Sequence, residues 1–164
     1  MKETIISGYV PGAIGRVATL HAEYYGAAWG FGLFFEAKVA TELSEFMMNF
    51  DEKRDGFWAV GNGVCVEGAI AVDGAKAETE GAHLRWFILS EKLRGQGWGD
   101  RLLAEAVTFC QVHSYRQIYL WTFQGLQPAH HLYEKFGFKL VEQRPGMQWG
   151  KEVLEQRFVL IPPS

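Results

Sequence analysis

The chain has 164 residues, 48% apolar and 21% charged, with a formal net charge of −3 and a pI of about 6.0. That composition suits one globular domain, residues 1–164, with one sizeable core. With no basic run, no long acidic tract and no apolar span of about 18 residues, neither nucleic acid nor a membrane is an expected partner. Cys65 and Cys110 make neither a disulfide framework nor a metal site. They read as reduced thiols of a cytoplasmic protein, and the opening MKETIISGYVPG lacks the apolar core of a signal peptide.

In chain order, residues 4–10 read as a strand that Pro11-Gly12 breaks. Residues 13–28 have helical spacing, with Ile14, Val17, Ala18, His21 and Tyr25 near one face. A loop carrying Trp29 and Phe31 leads to a second helix over 33–50, whose Phe35, Val39, Leu43, Phe46 and Met47 recur at three or four. After a polar connector, residues 57–60 and 64–72 form two strands about the Gly61-Asn62-Gly63 turn. A small-residue and charged loop, 73–81, precedes a strand over 82–89. The helix over 100–113 buries Leu103, Ala106, Val107 and Cys110. Residues 117–123 form a β-branched and aromatic strand. Pro128 opens a helix that Gly137 closes. Two strands, 138–143 and 153–160, end the chain, with Pro145-Gly146 and Trp149-Gly150 read as turns between them. The order β-αα-βββ-α-β-α-ββ predicts an α/β (α+β) fold, a mixed and mostly antiparallel sheet of about seven strands with helices on both faces.

The most informative stretch joins the fourth strand to the third helix. Arg94-Gly95-Gln96-Gly97-Trp98-Gly99 sets three glycines at alternate positions. Glycine accepts positive φ and lets a ligand approach the main chain. The helix that follows has unpaired N–H groups and a partial positive charge at its start. Together they suit a phosphate or pyrophosphate. A dinucleotide fingerprint counted from Gly95 would end on Asp100 and fails, and no P-loop is present.

The pattern that does fit is [QR]-x-x-G-x-[GA], on Arg94, Gly97 and Gly99. After a strand and before a helix, it resembles the pyrophosphate loop of the GNAT superfamily of N-acetyltransferases. A second stretch, Ala129-His130-His131-Leu132-Tyr133-Glu134-Lys135-Phe136-Gly137-Phe138, resembles the family's A-x-x-L-Y-x-x-x-G-F signature. The resemblance covers most of the chain and extends to the acetyltransferase halves of proteins fused to winged-helix MarR regulators. Two positions depart from it. Asp100 stands at the helix start, where it repels phosphate unless Arg94 and Arg101 offset it, and Leu126 replaces the asparagine of many relatives.

The resemblance implies direct transfer of an acetyl group from acetyl-CoA, a co-substrate, to a primary amine, with no metal. The amine must first lose a proton; at a pKa of about 10.4 roughly one molecule in a thousand is neutral at pH 7. A base contributes about 10² to 10⁴ in rate, and backbone N–H groups stabilise the oxyanion. By resemblance, Phe87, Ile88 and Leu89 would pair their main chain with pantetheine, and Gly95, Gln96, Gly97, Trp98 and Gly99 would join Arg94 around the diphosphate. Tyr133 would be the acid for the leaving thiolate; its plainer reading is a core aromatic. His83 would be the base, on a position where some relatives carry a carboxylate; its plainer reading is a histidine packed at a strand start. Glu67 is the next choice, and a water-mediated path needs no single base. His21, Glu23, Tyr24, Tyr25 and Trp29 would line the acceptor side or simply fill the core. The adjacent His130 and His131 read as solvated helix residues. A non-catalytic acyl-CoA sensor and a longer acyl donor remain as alternatives, and the family admits a homodimer.

Overall fold

The computed structural model of the chain describes residues 2–163. Seven strands make one sheet: β1 (Thr4–Ser7), β2 (Gly56–Gly61), β3 (Val66–Asp73), β4 (Ala82–Leu89), β5 (Ile118–Phe123), β6 (Lys139–Gly146) and β7 (Val153–Leu160). Their order is β1-β2-β3-β4-β5-β7-β6. Every neighbouring pair is antiparallel except β4 with β5. Helices α1 (Ala13–Trp29) and α2 (Leu33–Met48) cover one face. On the other lie α3 (Trp98–Val112) and α4 (Gln127–Lys135), which carries Tyr133 into that second core. Among the described residues no helix is long and apolar enough to cross a membrane.

The predicted elements are all present, with shifted ends. β1 stops at Ser7 instead of residue 10, because Gly8 turns to φ +95°. α1 continues to Trp29, where Gly30 at φ +72° caps it. α2 ends two residues earlier than the spacing predicts. Pro145-Gly146 is not a turn but the end of β6, an edge strand on which proline's missing N–H breaks no central ladder. α3 starts at Trp98, directly behind the glycine turn.

The strand that positions the site is irregular. Ala69 lies opposite Ile88 but Ala71 lies opposite Arg85, so Trp86 and Phe87 together face the single residue Ile70. This bulge puts Trp86 at φ +49°, a left-handed conformation that costs about 1–3 kcal/mol in a non-glycine residue. Burial of its ring against Phe46, with centroids 5.4 Å apart, offsets that cost. The bulge also reverses side-chain parity. Ala82 and Leu84 sit in the α3 core, whereas Trp86 and Ile88 sit in the α1–α2 core. Consequently β4 and β5 pair only at Ala82–Ile118 and His83–Tyr119, and the two strands lie unpaired beyond.

The α2 stripe anchors this face. Leu43 is fully buried, whereas Leu33 on the same helix is 84% exposed. Leu43→Ala should cost about 2–5 kcal/mol in denaturant unfolding, while Leu33→Ala should change stability by less than about 0.5 kcal/mol.

Candidate active site

Where β4 and β5 part, a cleft opens with about 890 Å³ of space, partly open to solvent. Its walls come from both strands, from α1 and α2 on one side and from Tyr133 of α4 on the other. The glycine turn stands at the end of β4, beyond a 3₁₀ turn at Glu91–Leu93.

The turn is built as the sequence predicts. Gly95 and Gly97 take φ +75° and +87°, and a Cβ added to either would meet no atom within 4 Å. The backbone N–H groups of residues 95–100 have no main-chain partner; the first paired one is Arg101, which donates to Gly97. Six consecutive free donors at a helix start, under open space, fit an anionic diphosphate. The side chain of Arg94 does something else here. Its guanidinium donates to the Leu89 carbonyl at 2.9 Å and lies 4.6 Å over the ring of Tyr24. Arg101 lies over Trp98. Neither offsets Asp100; that carboxylate is paired with Lys135 of α4, which sequence reasoning did not connect with it.

Tyr133 is buried at the cleft wall, its ring 6.2 Å from Phe87 and 6.0 Å from Phe158. Burial first, and the neighbouring Tyr25 second, raise its pKa far above that of a free phenol, so the hydroxyl keeps its proton. Phe87 lines the cleft, Ile88 is packed in the core, and Leu89 offers its carbonyl to Arg94.

His83 also lines the cleft, at its closed end, where its ring stacks on Tyr119 with centroids 4.5 Å apart. Burial, then the charges of Arg85 and Arg157, push its pKa down to about 3. Such an imidazole is neutral at pH 7 and holds a proton poorly, which argues against the role of base that the resemblance implies. Glu67 is not in the cleft; it is buried and tied to Arg16 of α1 at 3.1 Å. His130 is not solvated either. Its Nε2 is buried without a partner, its ring lies 5.1 Å from Phe158, and burial lowers its pKa. His131 is exposed, as expected.

Of the α1 residues named from the sequence, His21 and Tyr25 line the cleft, Trp29 packs on Phe123 at 5.6 Å, Tyr24 lies under Arg94 and Glu23 is exposed. Sequence reasoning missed the rest: Phe123 and Trp149, 5.6 Å apart, and the charged trio Lys38, Glu42 and Arg85. Burial raises the Glu42 carboxyl, but hydrogen bonds from Lys38 and Arg85 outweigh it and hold the pKa below its usual value. Alternation along β4 would have found Arg85, two residues from His83 on the same face. Lys38 and Glu42 are spaced i, i+4 on one helix face.

Comparison with known proteins agrees with this architecture. The family model of the GNAT acetyltransferases matches residues 15–138, and the chain belongs to that family. Functionally curated proteins give no match. Among solved structures, a GNAT-family acetyltransferase from Staphylococcus aureus Mu50 superposes with a TM-score of 0.78 at 16% identity, over 96% of this chain and 98% of that one. A phosphinothricin acetyltransferase from Sinorhizobium meliloti, solved in complex with AcCoA, gives 0.71 at 19% identity over 98% and 89%. The yncA protein of Salmonella typhimurium, solved with its cofactor acetyl-CoA, gives 0.70 at 13% over 97% and 93%. At these identities the likeness is one of fold.

The buried histidines make stability depend on pH. His21 donates its Nδ1–H to Val17 O, 2.8 Å away, and burial, only partly offset by that bond, brings its pKa from 6.5 down to about 4. Between those values the unfolded chain binds a proton that the folded chain refuses. His21 therefore costs nothing above about pH 6.5 and destabilises progressively as pH falls towards 4. The melting temperature should drop steadily from pH 7 to pH 4, and His21→Phe should flatten that slope in thermal melts across a buffer series.

Proposed function

We propose that the protein is an acetyl-CoA-dependent N-acetyltransferase acting on a primary amine. The observation that carries this reading is the row of six unpaired N–H groups, at the end of the strand that parts from its neighbour beside Tyr133. The main-chain donors of residues 95–100 would hold the diphosphate, and the free edge of β4 at Phe87, Ile88 and Leu89 would pair with the pantetheine arm. Bound there, acetyl-CoA would supply an acyl carbon activated as a thioester. An amine entering from the α1–α2 side would form the C–N bond, and the C–S bond would break.

Each proton then has a place. A main-chain N–H on the unpaired edge of β4 stabilises the charge that develops on the carbonyl oxygen. Tyr133, still protonated at neutral pH, gives its proton to the leaving thiolate and regains one from solvent. The nitrogen loses two protons through water in the open cleft, one before it attacks and one after the C–N bond forms, while His83 stays a neutral wall.

Two variants separate binding from chemistry. Gly97→Val forces a β-branched residue into φ +87° and covers the open turn. Its affinity for acetyl-CoA by calorimetry should fall at least about tenfold; unchanged affinity would refute the anion site. Tyr133→Phe should lower kcat by about 10² while leaving that affinity within about twofold, as read from thiol release. A sensor would instead bind acetyl-CoA tightly and release no thiol with any amine.

A further inference from the structure

Three arginines stand in a row on the face of the sheet that holds the acceptor side of the cleft, and each guanidinium lies over an aromatic ring. Arg85 is over Trp86 at 4.2 Å, Arg157 over Tyr119 at 4.8 Å, and Arg144 over Trp121 at 4.6 Å. The outer two have counterions. Arg85 pairs with Glu42 and Asp73, and Arg144 with Glu142 and Glu155. Arg157, between them and half-buried, makes no salt bridge and no side-chain hydrogen bond among the described residues. Its cross-strand neighbour Glu142 is turned to Arg144. Glu80, the carboxylate nearest Tyr119, takes the tyrosine hydroxyl at 3.4 Å.

We propose, on the reading of the protein as an amine acetyltransferase, that its acceptor is a small amine bearing a carboxylate, and that Arg157 holds that carboxylate. Arg157 lies opposite Trp121, a residue of the cleft wall, and its guanidinium covers the same Tyr119 ring on which His83 stacks. Neighbouring strands lie about 4.8 Å apart, so a group held by β7 is only one strand from the gap between β4 and β5. The guanidinium already reaches over Tyr119 of β5, so an amine one to a few carbon atoms from its carboxylate spans what is left. The guanidinium fork matches a carboxylate in a bidentate pair, and its flat seat on tyrosine leaves its edge free to make one. A monoanion suits the place better than a phosphate dianion, because the single unpaired guanidinium balances one negative charge. The apolar remainder of such a molecule would meet Phe123 and Trp149. This residue is a specificity determinant and takes no part in the proton transfers.

The test compares matched pairs, phenylalanine with phenethylamine and leucine with isopentylamine, by thiol release from acetyl-CoA. The wild type should favour the acid of each pair in kcat/KM. Arg157→Ala should shrink that preference by about ten- to a hundredfold, mainly through KM, and Arg157→Lys should recover part of it. Because Arg157 makes no salt bridge and no side-chain hydrogen bond among the described residues, melting temperatures of both variants should stay near that of the wild type, and Arg157→Lys carries the comparison if Arg157→Ala does not fold. Equal use of both members by the wild type, or an unchanged preference in the variants, would overturn the carboxylate site and leave the acetyltransferase reading intact. No thiol release with any amine would overturn both.

Discussion

Trp86 sits in a left-handed backbone conformation inside a β-strand, and the rest of the site depends on that one departure. A regular β4 would pair with β5 along its whole length, as β5 pairs with β7. The extra residue at Trp86 and Phe87 swings the second half of the strand away and flips its side chains to the other face. It therefore creates the gap and decides what lines it. Before the bulge, His83 and Arg85 point towards α2. After it, Phe87 and Leu89 point towards α3 and Tyr133. The strain is local and is held by the ring of Trp86, wedged between Phe46 and the guanidinium of Arg85.

The two sides of the gap differ in electrostatics. At the glycine turn the positive potential comes from main-chain dipoles that cannot titrate, with Asp100 paired to Lys135. On the α1–α2 side the charges sit on side chains and largely cancel: Arg85 against Glu42 and Asp73, Arg144 against Glu142 and Glu155. Two histidines and a tyrosine are kept neutral between these regions by burial. Between the two regions the cleft is thus lined by groups that carry no charge at neutral pH.

The glycine turn and the end of α4 were legible in the sequence because their signals are local. Arg94 to Gly99 needs only its own glycines and the helix behind it, and Gly137 marks the end of α4 at φ +95° by itself. The acceptor side depends on residues far apart. The low basicity of His83 comes from burial and from Arg157, 74 positions later in the chain. Asp100 looks unfavourable alone and is explained only by Lys135, and His130 looks solvated until β7 brings Phe158 against it. The bulge at Trp86 has no glycine or proline to announce it. Pro145-Gly146 misleads in the opposite direction, because turn chemistry is tolerated at the edge of a sheet.

The segment between β6 and β7 carries Gln148 and Trp149 into the cleft, yet its far end is fastened lightly. Lys151 donates one solvent-exposed hydrogen bond to the last carbonyl of α1, at Trp29, and Gly150 rests against Phe34. β4, across the gap, is stitched to β3 by a ladder of main-chain bonds. The cleft is thus bounded by walls attached in different ways: one is woven into the sheet, and the other hangs on side-chain bonds from Gln148 to Glu155 and from Lys151 to the end of α1.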